Sequence, residues 1–127
     1  MAKRILCFGG RGNLGSSFLK TLTGYNLTSV DLSASTQQNV KNIIVKGLNP
    51  QEDLLNIKKG ITNEVYDAIL VASGGWRGGN IKSDTFVDDY QNMQKVNFLP
   101  SLIAAHIATN NLSKNGMVLF TGASSVF

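Results

Sequence analysis

CFGGRGNLGSS, residues 7–17, places four glycines close together directly after an apolar run. Ile5 to Phe8 has the continuous apolar character of a short buried strand, and residues 13–23 have the pattern of a helix. A strand, a glycine turn and a helix in this order bring backbone N–H groups and the positive end of a helix dipole to one point. The stretch therefore predicts a place where backbone amides can meet a phosphate.

Strands and helices alternate along the rest of the chain. The predicted strands are residues 3–9, 26–32, 43–46, 66–72 and 117–120, and the predicted helices are residues 13–23, 50–59 and 84–109, the last interrupted by Pro100. Such alternation is typical of a parallel sheet with right-handed crossovers. We predict an α/β fold with a Rossmann-like doubly wound parallel sheet, truncated after the fifth strand. We expect one dinucleotide-binding domain over residues 1–127, incomplete at its C-terminus.

The glycine turn fits the G-x-G-x-x-G spacing through Gly10, Gly12 and Gly15, and a looser spacing that starts at Gly9. In a dinucleotide site the first glycine allows a tight turn, the second lets the backbone approach a pyrophosphate, and the third lets the helix pack against the strand. The candidate cofactor-binding residues here are Gly9, Gly10, Arg11, Gly12, Asn13, Leu14 and Gly15. Because glycine turns also arise from packing alone, the motif needs support from its surroundings.

Asp31 supplies that support, about 20 residues after the turn and at the end of the second predicted strand. A carboxylate at this point accepts hydrogen bonds from ribose hydroxyls and repels a 2′-phosphate, which favours NADH over NADPH. The alternative for Asp31 is a carboxylate that only caps its loop. Arg11 either flanks the phosphates, faces a 2′-phosphate, or is a solvated turn residue.

A second glycine cluster, SGGWRGGN at residues 73–80, follows the fourth predicted strand. In an open parallel sheet the ligand crevice lies beyond the carboxyl ends of the strands, where the strand order reverses. Ser73 and Gly74 are therefore predicted to line the same crevice as the first cluster. Trp76 offers a flat apolar surface for the ring of a substrate, or else only covers the crevice edge.

Several stretches resemble the dihydropteridine reductase family, within the short-chain dehydrogenases/reductases. They are ILCFGGRGNLGSS, SVDLS, IIVK and VYDAILVASGGWRGGNIKS, of which GGW-x-GGN-x-KS is the most specific. The resemblance covers essentially the whole chain, but only about the N-terminal half of a family member. It implies NADH-dependent reduction of quinonoid dihydropteridine to tetrahydropteridine, usually by a homodimer. Alternatives are another short-chain oxidoreductase acting on a carbonyl, and a fragment that binds NAD(H) without catalysis.

The resemblance also assigns individual residues. It implies that Asp31 binds the adenosine ribose and that Trp76 lies on the pterin side of the site. Asn49 stands where many members have an acidic residue near the adenine. Asn97 matches the asparagine that supports the proton relay in the wider superfamily; the alternative is an asparagine that caps or kinks a helix. Ser124 is a candidate for the superfamily's serine.

Two further implications concern the catalytic motif. At the serine position, Ala123 fits the spacing somewhat better than Ser124. The superfamily's Tyr-x-x-x-Lys motif is absent from these 127 residues, because none of the three tyrosines has a lysine four positions later. We therefore expect the chain to bind a nucleotide with little or no turnover on its own.

Composition excludes several other classes of function. The net charge of +4 comes from scattered Lys and Arg, without the basic stripe or arm of a DNA-binding face. No apolar run approaches the ~20 residues that span a bilayer. The single cysteine and single histidine make a disulfide or a zinc site implausible, and we expect a cytoplasmic protein without metal. Family dimers bury long helices, so residues 84–109 are the predicted homodimer contact.

Overall fold

Parallel strands form one sheet in the computed structural model, which describes residues 2–76 and 79–122. The strands are β1 (Arg4–Phe8), β2 (Asn26–Asp31), β3 (Val40–Ile44), β4 (Tyr66–Val71) and β5 (Leu112–Phe120). The helices are α1 (Asn13–Thr21), α2 (Pro50–Gly60), α3 (Phe86–Met93) and α4 (Leu99–Asn111), with a π-helical segment, Gln94–Phe98, joining α3 to α4. The predicted Rossmann-like parallel sheet is confirmed.

The strand order explains where a ligand crevice forms. The sheet runs β3-β2-β1-β4-β5, and all neighbouring strands are parallel. The chain moves outward from β1 to β3 and then crosses to the other side at β4. The order therefore reverses between β1 and β4, and the carboxyl ends of these two strands flank the switch point.

Apolar side chains on the two faces of the sheet pack against different helices. On one face Leu6 and Phe8 of β1 pack with α2 and α4 through Ile57 and Ile107. On the other face Ile5 and Cys7 pack with Leu19 of α1 and its neighbours. Alternate residues of β1 thus serve opposite layers, as expected for a strand covered on both sides.

Two strand boundaries differ from those predicted. β3 spans Val40–Ile44 rather than 43–46, because pairing from Leu27↔Val40 to Asp31↔Ile44 sets its register. As an edge strand it includes exposed Lys41, which an apolar run does not reveal. β5 begins at Leu112 rather than 117, because an irregularity opposite Tyr66–Ala68 accommodates the polar residues that follow Leu112.

The long helical stretch is interrupted before Pro100 rather than at it. The π-helical segment ends at Phe98, and Pro100 lies in the first turn of α4. A proline in a helix interior clashes with the carbonyl four residues earlier, and a wider π turn relieves that crowding. Pro100 is tolerated in the first turn because its missing N–H is not needed there.

The helices of the described residues are too short or too polar to cross a lipid bilayer. The cytoplasmic location stays a prediction.

Candidate functional site

The first glycine turn is anchored to the ends of two strands. The N–H of Gly9 donates to the Val30 carbonyl at 2.8 Å, and the N–H of Gly12 donates to the Gly9 carbonyl at 3.1 Å. Gly9 has a φ of +86°, and a Cβ there would lie 2.6 Å from the backbone nitrogen of Ser73. The turn therefore needs glycine at this position both for its conformation and for its close approach to the end of β4.

Gly10 and Gly15 are fixed by packing within the chain. A Cβ on Gly10 would lie 2.1 Å from the hydroxyl oxygen of Ser29, and one on Gly15 would lie 1.9 Å from the Gly9 carbonyl oxygen. These distances account for glycine at both positions without any ligand. Their predicted contact with a cofactor stays a prediction.

Gly12 differs, because packing among the described residues does not require a glycine there. Of the part of the chain that the structure describes, a Cβ on Gly12 would meet only the Gly9 carbonyl oxygen, at an ordinary 3.5 Å, and its φ of −71° suits any residue. Gly12 is the N-cap of α1, and no side chain caps this helix or adds a carboxylate in its first turn. The N–H groups of Asn13 and Leu14 belong to that first turn, where the helix itself provides no acceptor. The free space beside Gly12 therefore fits an anionic group that approaches the helix N-terminus.

Asp31 caps the glycine turn and also faces the crevice. Its Oδ2 accepts the N–H of Arg11 at 2.8 Å, and its Oδ1 accepts the N–H of Leu32 at 2.7 Å. An ionised carboxylate has about four lone-pair sites, so each oxygen keeps capacity for a ligand hydroxyl. The two interpretations of Asp31, a loop cap and a ribose ligand, are therefore compatible.

The second glycine cluster is tied to the helix layer through Asn97. The Oδ1 of Asn97 accepts the N–H of Gly75 at 3.0 Å, and its Nδ2 donates to the Gly75 carbonyl at 2.8 Å and the Met93 carbonyl at 3.1 Å. A Cβ on Gly74 would lie 2.8 Å from the same Oδ1. Asn97 thus fixes the segment after β4 from within the π-helical segment, while its predicted role in a proton relay stays a prediction.

A cavity of about 480 Å³ lies at the carboxyl ends of the strands, on the side covered by α2 and α4. Part of the predicted site lines it: Gly9, Arg11, Gly12, Asp31, Ser73 and Gly74. The two glycine clusters therefore meet in one crevice, as the strand order requires. The other predicted residues of the described part of the chain do not line it: Gly10, Asn13, Leu14, Gly15, Trp76 and Asn97.

Trp76 does not line this cavity, and the position of the predicted serine falls outside the described residues. The Trp76 side chain is 85% exposed. Its predicted place on the substrate side is untested, and the exposed indole also fits the alternative of an edge residue. Ser124 and Ala123 fall outside the described residues.

Sequence reasoning missed the wall of the cavity that the connections after β2 and β3 and the helices provide. These lining residues include Leu32, Ser33, Gly47, Pro50, Asp53, Lys95, Val96 and Leu99. Pro50, at the start of α2, was the available sign, since the connection that leads to it also leaves the sheet at its carboxyl edge. Lys95, Val96 and Leu99 approach through helix packing, which no local pattern shows.

Asn49 has a local structural role. Its Oδ1 accepts the N–H groups of Gln51 at 3.0 Å and Glu52 at 3.3 Å, so the side chain caps α2. Asn49 does not line the cavity, whereas Asp53 of the same helix does.

Cys7 is buried in β1 and does not line the cavity. Burial, and secondarily the negative charge of Asp31, raise the pKa of the Cys7 thiol to about 12. The side chain is fully buried and packs against α1. Cys7 is therefore a neutral apolar residue of the sheet.

The strand order and the placement of the helices are similar to those of solved short-chain dehydrogenases/reductases. A short-chain dehydrogenase family protein from Francisella tularensis superposes with a TM-score of 0.87 at 22% identity, covering 100% of this chain and 53% of that one. A short-chain dehydrogenase/reductase from Serratia marcescens gives 0.81 at 19% identity, covering 98% and 59%. These likenesses establish the fold.

The sequence comparison is more particular. The chain is 28% identical to dihydropteridine reductase from Dictyostelium discoideum, over 98% of this chain and 55% of that protein. The resemblance to dihydropteridine reductase is thereby confirmed, and no protein-family model matches. The chain spans about half the length of this relative.

Proposed function

We propose that this chain is the cofactor-binding half of an NADH-dependent dihydropteridine reductase. The observation that carries the proposal is the similarity to the Dictyostelium reductase along nearly the whole chain. The crevice supports it, because both glycine clusters and Asp31 meet around one cavity. The proposed reaction reduces quinonoid dihydropteridine to tetrahydropteridine.

The residues present fit a dinucleotide. Gly12 leaves room for a pyrophosphate at the uncapped start of α1, where N–H groups and the helix dipole stabilise negative charge. Asp31 would accept the hydroxyls of the adenosine ribose through its remaining lone pairs. When bound, the nicotinamide would supply the hydride.

NADH is the proposed cofactor in preference to NADPH. The carboxylate of Asp31 is held in the crevice wall by two backbone N–H groups, so it cannot easily turn away from an approaching ligand. A 2′-phosphate on the ribose would face this negative charge. Arg11, whose backbone is bound to the same carboxylate, is the residue that could offset the repulsion.

The chain's own contribution to the chemistry is positioning. Asn97 holds the backbone of Gly75 by two hydrogen bonds and so fixes the segment that leads from the cofactor crevice toward Trp76. Trp76 is the proposed face for the pterin ring. Ser124 and Asn97 remain the candidates within this chain for supporting proton transfer.

A second candidate function is reduction of a different carbonyl substrate. Short-chain dehydrogenases/reductases of several kinds share this fold at similar TM-scores, so the fold alone favours no substrate. The test follows NADH consumption by the product of the complete reading frame that encodes this chain. Turnover with quinonoid dihydropterin and not with simple ketones is expected; the reverse would refute the pterin proposal.

We also propose that the protein pairs with a second copy through α3, the π-helical segment and α4. Tyr90, Phe98 and Leu102 recur at near-helical spacing and are more than half exposed. Such large apolar side chains are costly to leave in water. Sedimentation equilibrium at micromolar concentration should give a dimer that Phe98→Glu dissociates, and a wild-type monomer would contradict the proposal.

A further inference from the structure

Asp53 is a buried carboxylate in the wall of the crevice. It lies in the first turn of α2, is only 8% exposed, and lines the cavity. Its Oδ1 accepts the N–H of Lys46 at 3.1 Å, and its Oδ2 accepts the N–H of Gly47 at 3.0 Å. Both carboxylate oxygens thus hold the connection between β3 and α2.

The connection held in this way packs closely against the residue that follows Asp31. Gly47 has a φ of +70°, and a Cβ there would lie 2.9 Å from Cδ2 of Leu32. Leu32 and Gly47 both line the cavity. Since each oxygen of Asp53 accepts one of two neighbouring N–H groups, replacing one oxygen by an amide nitrogen would leave one N–H without an acceptor and release this contact.

The strand order places the β3–α2 connection at one end of a bound dinucleotide; this step rests on the proposed function. The pyrophosphate would lie at the turn after β1, and the adenosine ribose at Asp31 after β2. The next strand outward is β3. The β3–α2 connection therefore borders the base of the adenosine half and lies away from the nicotinamide.

We propose that Asp53 is a positioning residue for the adenine-binding end of the crevice, acting by fixing Lys46 and Gly47 against Leu32. The charge of Asp53 at the N-terminus of α2 is not the basis of this role. Glu52 carries the same charge in the same turn, but it is exposed and its side chain does not hold the connection.

Glu52 therefore supplies the matched control. Wild type, Asp53→Asn and Glu52→Gln are titrated with NADH, with AMP as the adenine half, and with reduced nicotinamide mononucleotide as the other half. The amide resonances of Lys46 and Gly47 are followed in ¹⁵N-labelled protein without ligand. These resonances report the two hydrogen bonds whether or not a cofactor binds.

Asp53→Asn should weaken NADH and AMP by about tenfold, as expected for one buried N–H left unpaired. Binding of reduced nicotinamide mononucleotide should stay within about twofold, and the Lys46 or Gly47 resonance should shift. Glu52→Gln should change none of these. Equal weakening of both halves, or unchanged AMP binding in a folded variant whose amide resonances have moved, would overturn the proposal.

Two further outcomes are distinguishable. If wild type shows the two hydrogen bonds but binds neither NADH nor AMP, the proposed function fails and the role of Asp53 in adenine binding fails with it. If Asp53→Asn does not fold, Gly47→Ala carries the test, because it keeps the carboxylate and displaces the connection from Leu32. Gly47→Ala should weaken the binding of AMP more than the binding of reduced nicotinamide mononucleotide, and unchanged AMP affinity would overturn the proposal.

Discussion

Alanine at Gly12 should separate cofactor binding from folding. Among residues 2–76 and 79–122, its Cβ would meet only a carbonyl oxygen at 3.5 Å, and the backbone there is not left-handed. The expected loss is the difference between glycine and alanine as an N-cap, about 0.5–1 kcal/mol of unfolding free energy. The melting temperature should fall by only about 2–5 °C. The same methyl group would occupy the space proposed for the pyrophosphate.

The cost to binding is larger. A hydrogen bond to a charged group contributes about 1.5–3 kcal/mol, so displacing the phosphate from one N–H should weaken NADH by roughly 10- to 150-fold. Isothermal titration calorimetry with NADH and a thermal melt of the same sample measure both quantities. The Gly12→Ala protein should melt almost like wild type and bind at least tenfold more weakly.

Gly15→Ala is the matched comparison, because its Cβ would lie 1.9 Å from a backbone oxygen that cannot move aside easily. It should destabilise the fold by about 3 kcal/mol or more, with a fall in melting temperature of roughly 10 °C or more. If Gly12→Ala bound NADH with wild-type affinity, the start of α1 would not be the phosphate site. If Gly15→Ala melted like wild type, the turn would not pack as closely against Gly15 as the structure shows.

Three further predictions concern Asp31, Glu64 and Cys7. Asp31→Ala should weaken NADH binding by about 1–3 kcal/mol. It should also reduce the preference for NADH over NADPH, measured as the ratio of the two dissociation constants. Partial burial raises the pKa of Glu64, but hydrogen bonds from Lys41 and Tyr66 and the positive charge of Lys41 outweigh it, so the pKa is lowered overall. The free energy of folding that this lowered pKa contributes should be present above pH about 4.5, and it should be lost as the pH falls through the folded-state pKa of Glu64. Urea unfolding should therefore show that Lys41→Met destabilises the protein less at acid pH than at neutral pH. A loss of unfolding free energy that does not change with pH would contradict this. Cys7, whose pKa is raised to about 12, should react with a disulfide reagent only as fast as the protein unfolds, and rapid labelling of the native protein would contradict its burial.

The first crossover was predictable from sequence because its features are local. An apolar strand, a glycine turn and an amphipathic helix each follow from neighbouring residues, and the structure has β1, the turn and α1 close to their predicted bounds. The meeting of Ser73 with the first turn was also predictable. It follows from the rule that parallel strands present their carboxyl ends at one edge.

What sequence reasoning missed depends on contacts between distant residues. The register of β3 is set by pairing with β2, and the π-helical segment contains Asn97, which binds the backbone of Gly75, a residue distant in sequence. Asp53 has the pattern of a first-turn acidic residue and nothing local distinguishes it from Glu52. Only the fold shows that one of these carboxylates turns inward to hold a loop and the other does not.

The most direct test of the central proposal is a titration of this chain with NADH and NADPH, followed by nicotinamide fluorescence and by thermal stability. Saturable binding of NADH, with a rise in melting temperature and weaker binding of NADPH, is the expected result. A folded chain that binds neither nucleotide would contradict the assignment of the glycine turn and Asp31 as a cofactor site. Stronger binding of NADPH would leave the site in place and reverse the role given to Asp31.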